Sequence, residues 1–255
     1  MYRDIETKTS YKYLTKVISK LKEPICMLGG WAVFFTVNKG YKKQMKRVYI
    51  GSRDIDLGFK TIASYKRAAA ILENELQFQF VSFRFYKNVH AETGKDISEQ
   101  EAKTTPQHMI FPMYVDPIVS HMDKRMKAQL GFTPLDEPML KLVFKNNRYR
   151  KITKVFGKKL LLPTPEVLLA TKLNSVLHRD KEHKRQKDIC DIVALCLFSE
   201  EHTNQIIKEI KRLVPKAILK SFRSTDFRDD INRCSITLGL ESNVVTAAIE
   251  KIKEI

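Results

Sequence analysis

The feature that most constrains this 255-residue chain is a change of hydrophobic period near Pro165. Before it, short apolar runs are punctuated by Gly, Pro and Asn turns. After it, apolar residues recur at three- and four-residue intervals: Val167, Leu168, Thr171 and Leu173, then Ile189, Ile192, Val193 and Leu197, then Ile206, Ile207, Ile210 and Leu213. A period of two places side chains on alternate faces of a strand, whereas a period near 3.6 collects them on one stripe of a helix. A chain that carries the first pattern and then the second is expected to be α+β, with a domain over residues 1–162 and a helical C-terminal domain over 163–255.

Within the first part, Leu14, Val17, Ile18 and Leu21 predict an amphipathic helix over Lys8 to Glu23. Pro24 to Gly30 reads as an apolar strand ending in paired glycines, and Trp31 can begin a helix. Arg47 to Phe59 reads as a strand with Ile55, Leu57 and Phe59 on one side and Asp54 and Asp56 on the other. Ser64 to Leu76 is expected to be helical, Phe78 to Phe85 a strand, Tyr86 to Gln107 a polar insertion, and Met109 to Val119 a strand carrying Asp116. Lys154 to Leu161 suggests a hairpin about Gly157. There is no internal repeat.

Forty-six Lys and Arg against 29 Asp and Glu give a formal net charge of +17, a field that draws polyanions. RNA, DNA and nucleotide phosphates are the natural partners, although a lysine-rich surface also serves solubility. Cys26, Cys190, Cys196 and Cys234 show no zinc spacing and read as buried thiols, and the six histidines add no ligand pattern. The charged stretch from Met1 to Lys22 resembles neither signal peptide nor anchor. The longest apolar run, Ile25 to Val37, is too short to span a bilayer, so a cytoplasmic setting is expected.

Residues two apart in a strand share a face, so Asp54 and Asp56 present two carboxylates together. Magnesium or manganese takes such hard oxygen ligands together with waters and substrate phosphates. An isolated Asp-x-Asp is more often the solvent side of an edge strand. Here Gly29 and Gly30 precede it at a strand end before a helix, where backbone N–H groups can meet triphosphate oxygens, and a later strand supplies Asp116.

Leu28-Gly29-Gly30 followed by Asp54-Ile55-Asp56-Leu57 resembles the nucleotidyltransferase superfamily pattern, a hydrophobic-Gly-Gly/Ser turn before an Asp-x-Asp strand. Pro165 to Leu173 and Lys187-Asp188-Ile189-Cys190-Asp191-Ile192 are similar to the downstream helices of the AbiEii-type abortive-infection members. The resemblance implies a polymerase-β-like domain with a mixed sheet, a helical second domain, and transfer of a nucleoside monophosphate from an NTP. It implies Asp54 and Asp56 as the metal dyad and Asp116 as third metal ligand or general base, with Asp123 a competitor and a strand-end Asp held by backbone donors the plain alternative. The stretch between Gly30 and Asp54 is longer than the family's compact pattern and holds the basic insert Lys39 to Arg47.

Lys172 and Arg179 are expected two turns apart on one helix, positioned for NTP phosphates, with Asp188 and Asp191 orienting Lys172 or touching the nucleotide. The competing reading of all four is an ion-pair network between helices. Ser52 and Arg53 are candidates for phosphate oxygens, or for shaping the turn. The run His178 to Lys187 suits an RNA backbone or a solvated loop. RNA, such as a tRNA end, is the expected acceptor, with a protein hydroxyl as the alternative acceptor and an antitoxin as a partner for a toxin-type enzyme. A nucleic-acid-binding module on an inactive scaffold is the main rival, and a metal-dependent glycosyltransferase is a second.

Overall fold

The computed structural model describes residues 3–22, 24–201 and 203–255, so Glu23, the expected end of the first helix, lies outside the described residues. The chain divides into two compact units, each described on its own. One holds the residues up to Trp31 together with Gly51–Pro163; the other holds Ala32–Ile50 and Thr164–Ile255.

The first unit is a mixed sheet with helices, as an α+β chain requires. Its helix α1 (Asp4–Lys20) starts with acidic residues, which suit the partial positive charge of a helix N-terminus, and Glu6 accepts from the Arg3 N–H at 3.1 Å. It buries Tyr13, Leu14, Val17 and Ile18. The strands are β1 (Cys26–Met27), β2 (Ile55–Phe59), β3 (Gln79–Val81), β4 (Arg84–His90), β5 (Ile110–Val119), β6 (Leu135–Asp136), β7 (Arg150–Val155) and β8 (Lys158–Pro163). They are ordered β3-β4-β5-β2-β1-β8-β7, with β6 paired to β5. Pairs β1/β8, β2/β5 and β5/β6 are parallel; the others are antiparallel.

The helix α2 (Gly29–Met45) begins in this unit and continues into the other. Between strands lie α3 (Ile62–Ala70), a π-turn over Ile71–Glu75, α4 (Glu99–Thr104), α5 (Lys124–Leu130) and α6 (Met139–Lys145). Short polar side chains cap three of them: Thr61 accepts from Ser64 N, Ser98 from Glu101 N, and Asp123 from Met126 N.

Several boundaries differ from the sequence expectation. The strand expected over Arg47 to Phe59 begins only at Ile55, because only Ile55–Phe59 has a partner on either side. Strand β1 is likewise two residues long, and the helix begins at Gly29 rather than Trp31. Tyr86 to His90, expected in a polar insertion, continue β4: their alternation of Tyr86, Asn88 and His90 against Val89 is masked by polar side chains on a strand whose ladder with β5 supplies the pairing.

The second unit is helical: the α2 segment with α7 (Pro165–Val176), α8 (Glu182–Phe198), α9 (Thr203–Leu213), α10 (Lys216–Ser224), α11 (Arg228–Leu238) and α12 (Ser242–Lys253). Pro165 at the first turn of α7 costs no hydrogen bond there. The α7 and α8 apolar positions Val167, Leu168, Leu173, Ile189, Ile192 and Val193 are all buried. Gly40 is required where α2 meets the end of α8: a Cβ would lie 2.3 Å from the Phe198 carbonyl oxygen. Tyr41 donates to the Leu238 carbonyl at 3.0 Å. Among the described residues, no helix is long and apolar enough to cross a membrane.

Candidate active site

The sheet unit brings Asp54, Asp56 and Asp116 together through register. Parallel pairing of β2 with β5 sets Asp56 directly beside Asp116, and Asp54 precedes β2 by one residue. Asp54 and Asp56 are half-buried, within reach of water and small ligands, whereas Asp116 is buried.

Gly29 closes the site from the strand β1 side. Its φ is +58°, a conformation that L side chains rarely adopt, and a Cβ there would lie 1.8 Å from Asp56 Oδ2. The Leu28 N–H donates to the Asp56 carbonyl at 3.0 Å, which locks β1 against β2 at this point. The Asp56 carboxylate therefore packs on the first residue of α2, where the helix N-terminus favours negative charge. Gly30 is buried in the same turn.

Arg84, the first residue of β4, has no signal in the sequence, yet it is the principal cation of the site. Its Nε and Nη2 donate to the two oxygens of Asp116 at 2.8 and 2.6 Å, a bidentate pair, and Nη2 lies 3.8 Å from Asp54 Oδ2. Its guanidinium also lies over the Tyr114 ring, 3.7 Å from the centroid. Burial disfavours its charge, but Asp116 and Asp54 more than offset this and push its pKa above the usual arginine value. Tyr65 from α3 is a second residue the sequence did not indicate. Its hydroxyl is buried without a hydrogen-bond partner among the described residues, and burial, with a contribution from Asp116, pushes its pKa up. Only tertiary pairing brings Arg84 and Tyr65 to Asp116.

Ser52, expected at phosphate oxygens, is buried and donates to the Asp54 carbonyl at 3.0 Å, a contact that holds the turn into β2. Arg53 pairs with Glu6 at 3.7 Å and lies over the Phe111 ring. Asp123 is exposed and caps α5.

Lys172, Arg179, Asp188 and Asp191 meet in the helical unit. Lys172 Nζ lies 2.5 Å from Asp188 Oδ1 and 2.8 Å from Asp191 Oδ2. Arg179 and Ser175 donate to Asp188 Oδ2 at 2.6 and 3.0 Å; Lys187 pairs with Asp191, and the Tyr49 hydroxyl donates to Asp191 at 2.8 Å. Arg179 was expected on the helix of Lys172, but α7 ends at Val176 and Arg179 reaches Asp188 from the loop beyond it. Burial opposes ionisation of Asp188, but Lys172 and Arg179 outweigh it and hold its pKa near about 2. Burial likewise opposes the Lys172 charge, and Asp188 and Asp191 reverse the effect, raising its pKa. The geometry is that of the ion-pair network between α7 and α8.

The donor set at Asp54 and Asp56 suits a hard divalent cation, which is commonly held by one or two carboxylates with waters and substrate phosphates. The missing side chain at Gly29 is what lets the Asp56 carboxylate lie against the first residue of α2, since a Cβ there would fall 1.8 Å from Asp56 Oδ2. Among the described residues, no group of three or more His, Cys, Asp or Glu is arranged to hold a metal ion, in keeping with both Asp116 oxygens being engaged by Arg84. All four cysteines are buried free thiols.

No family model and no curated protein matches this chain. Among solved structures it is similar to one described as the crystal structure of an antigenic nucleotidyltransferase-like protein from Paracoccidioides brasiliensis, at 13% identity and a TM-score of 0.38, over 94% of this chain and 96% of that one.

Proposed function

We propose that this chain is a divalent-metal-dependent nucleotidyltransferase that transfers a nucleoside monophosphate from an NTP to an acceptor hydroxyl, with RNA as the acceptor. The observation that carries the reading is the register Asp56↔Asp116, with Asp54 at the strand entry and Gly29 held open against the Asp56 carboxylate. Asp54 and Asp56 are the residues that would hold magnesium or manganese. When bound, the ion neutralises triphosphate charge and helps stabilise the leaving pyrophosphate. Gly29 and Gly30, at the start of α2, offer backbone N–H groups to phosphate oxygens. Arg84 holds the Asp116 carboxylate through a bidentate contact, and the β2–β5 register sets Asp116 beside Asp56. The acceptor hydroxyl gives up its proton to solvent as its oxygen bonds to the α-phosphorus, the bond to the β-phosphate oxygen breaks, and pyrophosphate leaves.

As metal ligand or base, Asp116 would have to share its oxygens with Arg84, which already bonds to both of them. That contact favours a second reading, a nucleic-acid-binding module without transfer chemistry. In the transferase reading the Lys172 network supports the helical unit and is not asked to touch the nucleotide.

The test is incubation with α-phosphate-labelled NTPs, magnesium, total RNA and lysate, comparing wild type with Asp56→Ala. Label in RNA, lowered at least about a hundredfold in the variant, about 2.7 kcal/mol of barrier, supports the proposal. Label in protein keeps the transferase reading, moves the acceptor to a protein hydroxyl and favours the toxin-type role. Absence of label in every fraction, with RNA still bound, selects the second reading.

A further inference from the structure

Charge is distributed unevenly along the sheet. Between residues 124 and 159, covering α5, α6, β7 and the start of β8, eleven Lys and Arg stand against two acids, Asp136 and Glu137. Between residues 73 and 101, which include β3 and β4 at the opposite end of the strand order, six acids stand against three Lys and Arg. Edge strands often carry lysine simply to discourage pairing with another chain, and that accounts for some of β7. It does not account for the helices. Lys141 and Lys145, one helical turn apart, are exposed on α6, and Lys124 and Lys127 are exposed on α5.

The basic helix and the basic hairpin are joined by a side-chain contact. Arg150, at the start of β7, donates to the last carbonyls of α6, Val143 and Phe144, at 2.5 and 2.9 Å, and so ties the strand to the helix. Along the hairpin, Lys154 sits directly opposite Lys159, so the two lysines belong to one face of the β7–β8 pair. On the same face Ile152 is 67% exposed. At roughly 3.3 Å per residue, β7 is about 20 Å long, enough to follow several phosphates of a nucleic-acid strand.

We infer that the band formed by α6 and the β7–β8 hairpin binds the phosphodiester backbone of a nucleic acid. It rests on the transferase reading only in making that nucleic acid the acceptor. The acidic segment at the opposite end of the strand order repels the same polyanion, so the charge gradient also favours the β7 end of the sheet.

The test is fluorescence anisotropy with labelled single-stranded RNA and DNA of about twenty nucleotides, without NTP or metal, over a salt titration. Wild type is compared with Lys141→Gln/Lys145→Gln/Lys154→Gln, all exposed, and with Lys208→Gln/Lys211→Gln/Lys216→Gln on the helical unit as a matched control. Thermal melts of each verify folding. The first triple is expected to weaken binding at least about tenfold at low salt and to flatten the log–log salt slope by about 2, with the control within about twofold of wild type. A preference between RNA and DNA identifies the acceptor class. Equal losses in both triples, no loss in the first, or no binding by wild type at low salt overturns the inference. Because no NTP is present, loss of this face and failure of the transfer reaction are read in separate assays.

Discussion

Two groups of carboxylates and cations in this chain solve opposite problems. Around Asp188 and Asp191, side chains 2% and 0% exposed are enclosed by Lys172, Lys187, Arg179, Ser175 and Tyr49. Around Asp56, where β2 runs beside β5, Asp54 and Asp56 stay half-buried, Asp54 and the buried Asp116 share the Arg84 guanidinium, and Asp56 sits against a glycine backbone. A closed network has few degrees of freedom left, and its contribution is stability. A partly open one can exchange a protein contact for a ligand. The same residue types therefore do different work according to how completely they are enclosed.

The largest effect expected from this contrast is on stability. Lys172→Met leaves two buried carboxylates short of a cation, a loss of roughly 3–5 kcal/mol, which lowers the melting temperature by about 10 °C for a protein of this size. Calorimetry checks it, and a variant that melts like wild type but fails to bind NTP would return Lys172 to the nucleotide.

Next comes Gly29→Ala. The added Cβ must displace the Asp56 carboxylate, and misplacing a reacting group by about 1 Å costs about a hundredfold in rate. Labelling kinetics should fall by that factor, with a stability cost of only about 1–2 kcal/mol for the left-handed backbone. Unchanged labelling would remove Asp56 from the chemistry.

The smallest effect is in acid. Because Asp188 is held near about 2 against an ordinary value of about 3.9, its stabilisation is fully present above about pH 4 and is lost as pH falls from there toward about 2. The loss is about 2 kcal/mol in urea melts, and Asp188→Asn should abolish that part of the pH dependence. The same acid-limb slope in wild type and Asp188→Asn would show that Asp188 is not the group responsible.

Much of this arrangement was legible in order of residues. The helical period from Pro165 onward marked α7, α8 and α9, and the alternation around Ile55 marked β2. The Asp-x-Asp spacing put Asp54 and Asp56 on one side, and Pro24 to Gly30 announced a strand, a tight turn and a helix. Lys172 with Asp188 and Asp191 could be proposed as a network because helical spacing alone places the two acids together.

What the sequence determined, then, was local: periods, turns and the same-face spacing of the aspartates, all set within a few residues by backbone geometry. Tertiary structure decided that Arg84 grips Asp116, that the Tyr65 hydroxyl is buried within electrostatic reach of Asp116, that Arg179 reaches Asp188 from a loop, and that Ala32–Ile50 packs with the C-terminal helices. Those outcomes depend on strand register and helix packing between segments far apart in the chain. A one-residue slip between β4 and β5 would turn Arg84 to the other face of the sheet, and no local pattern specifies which register closes.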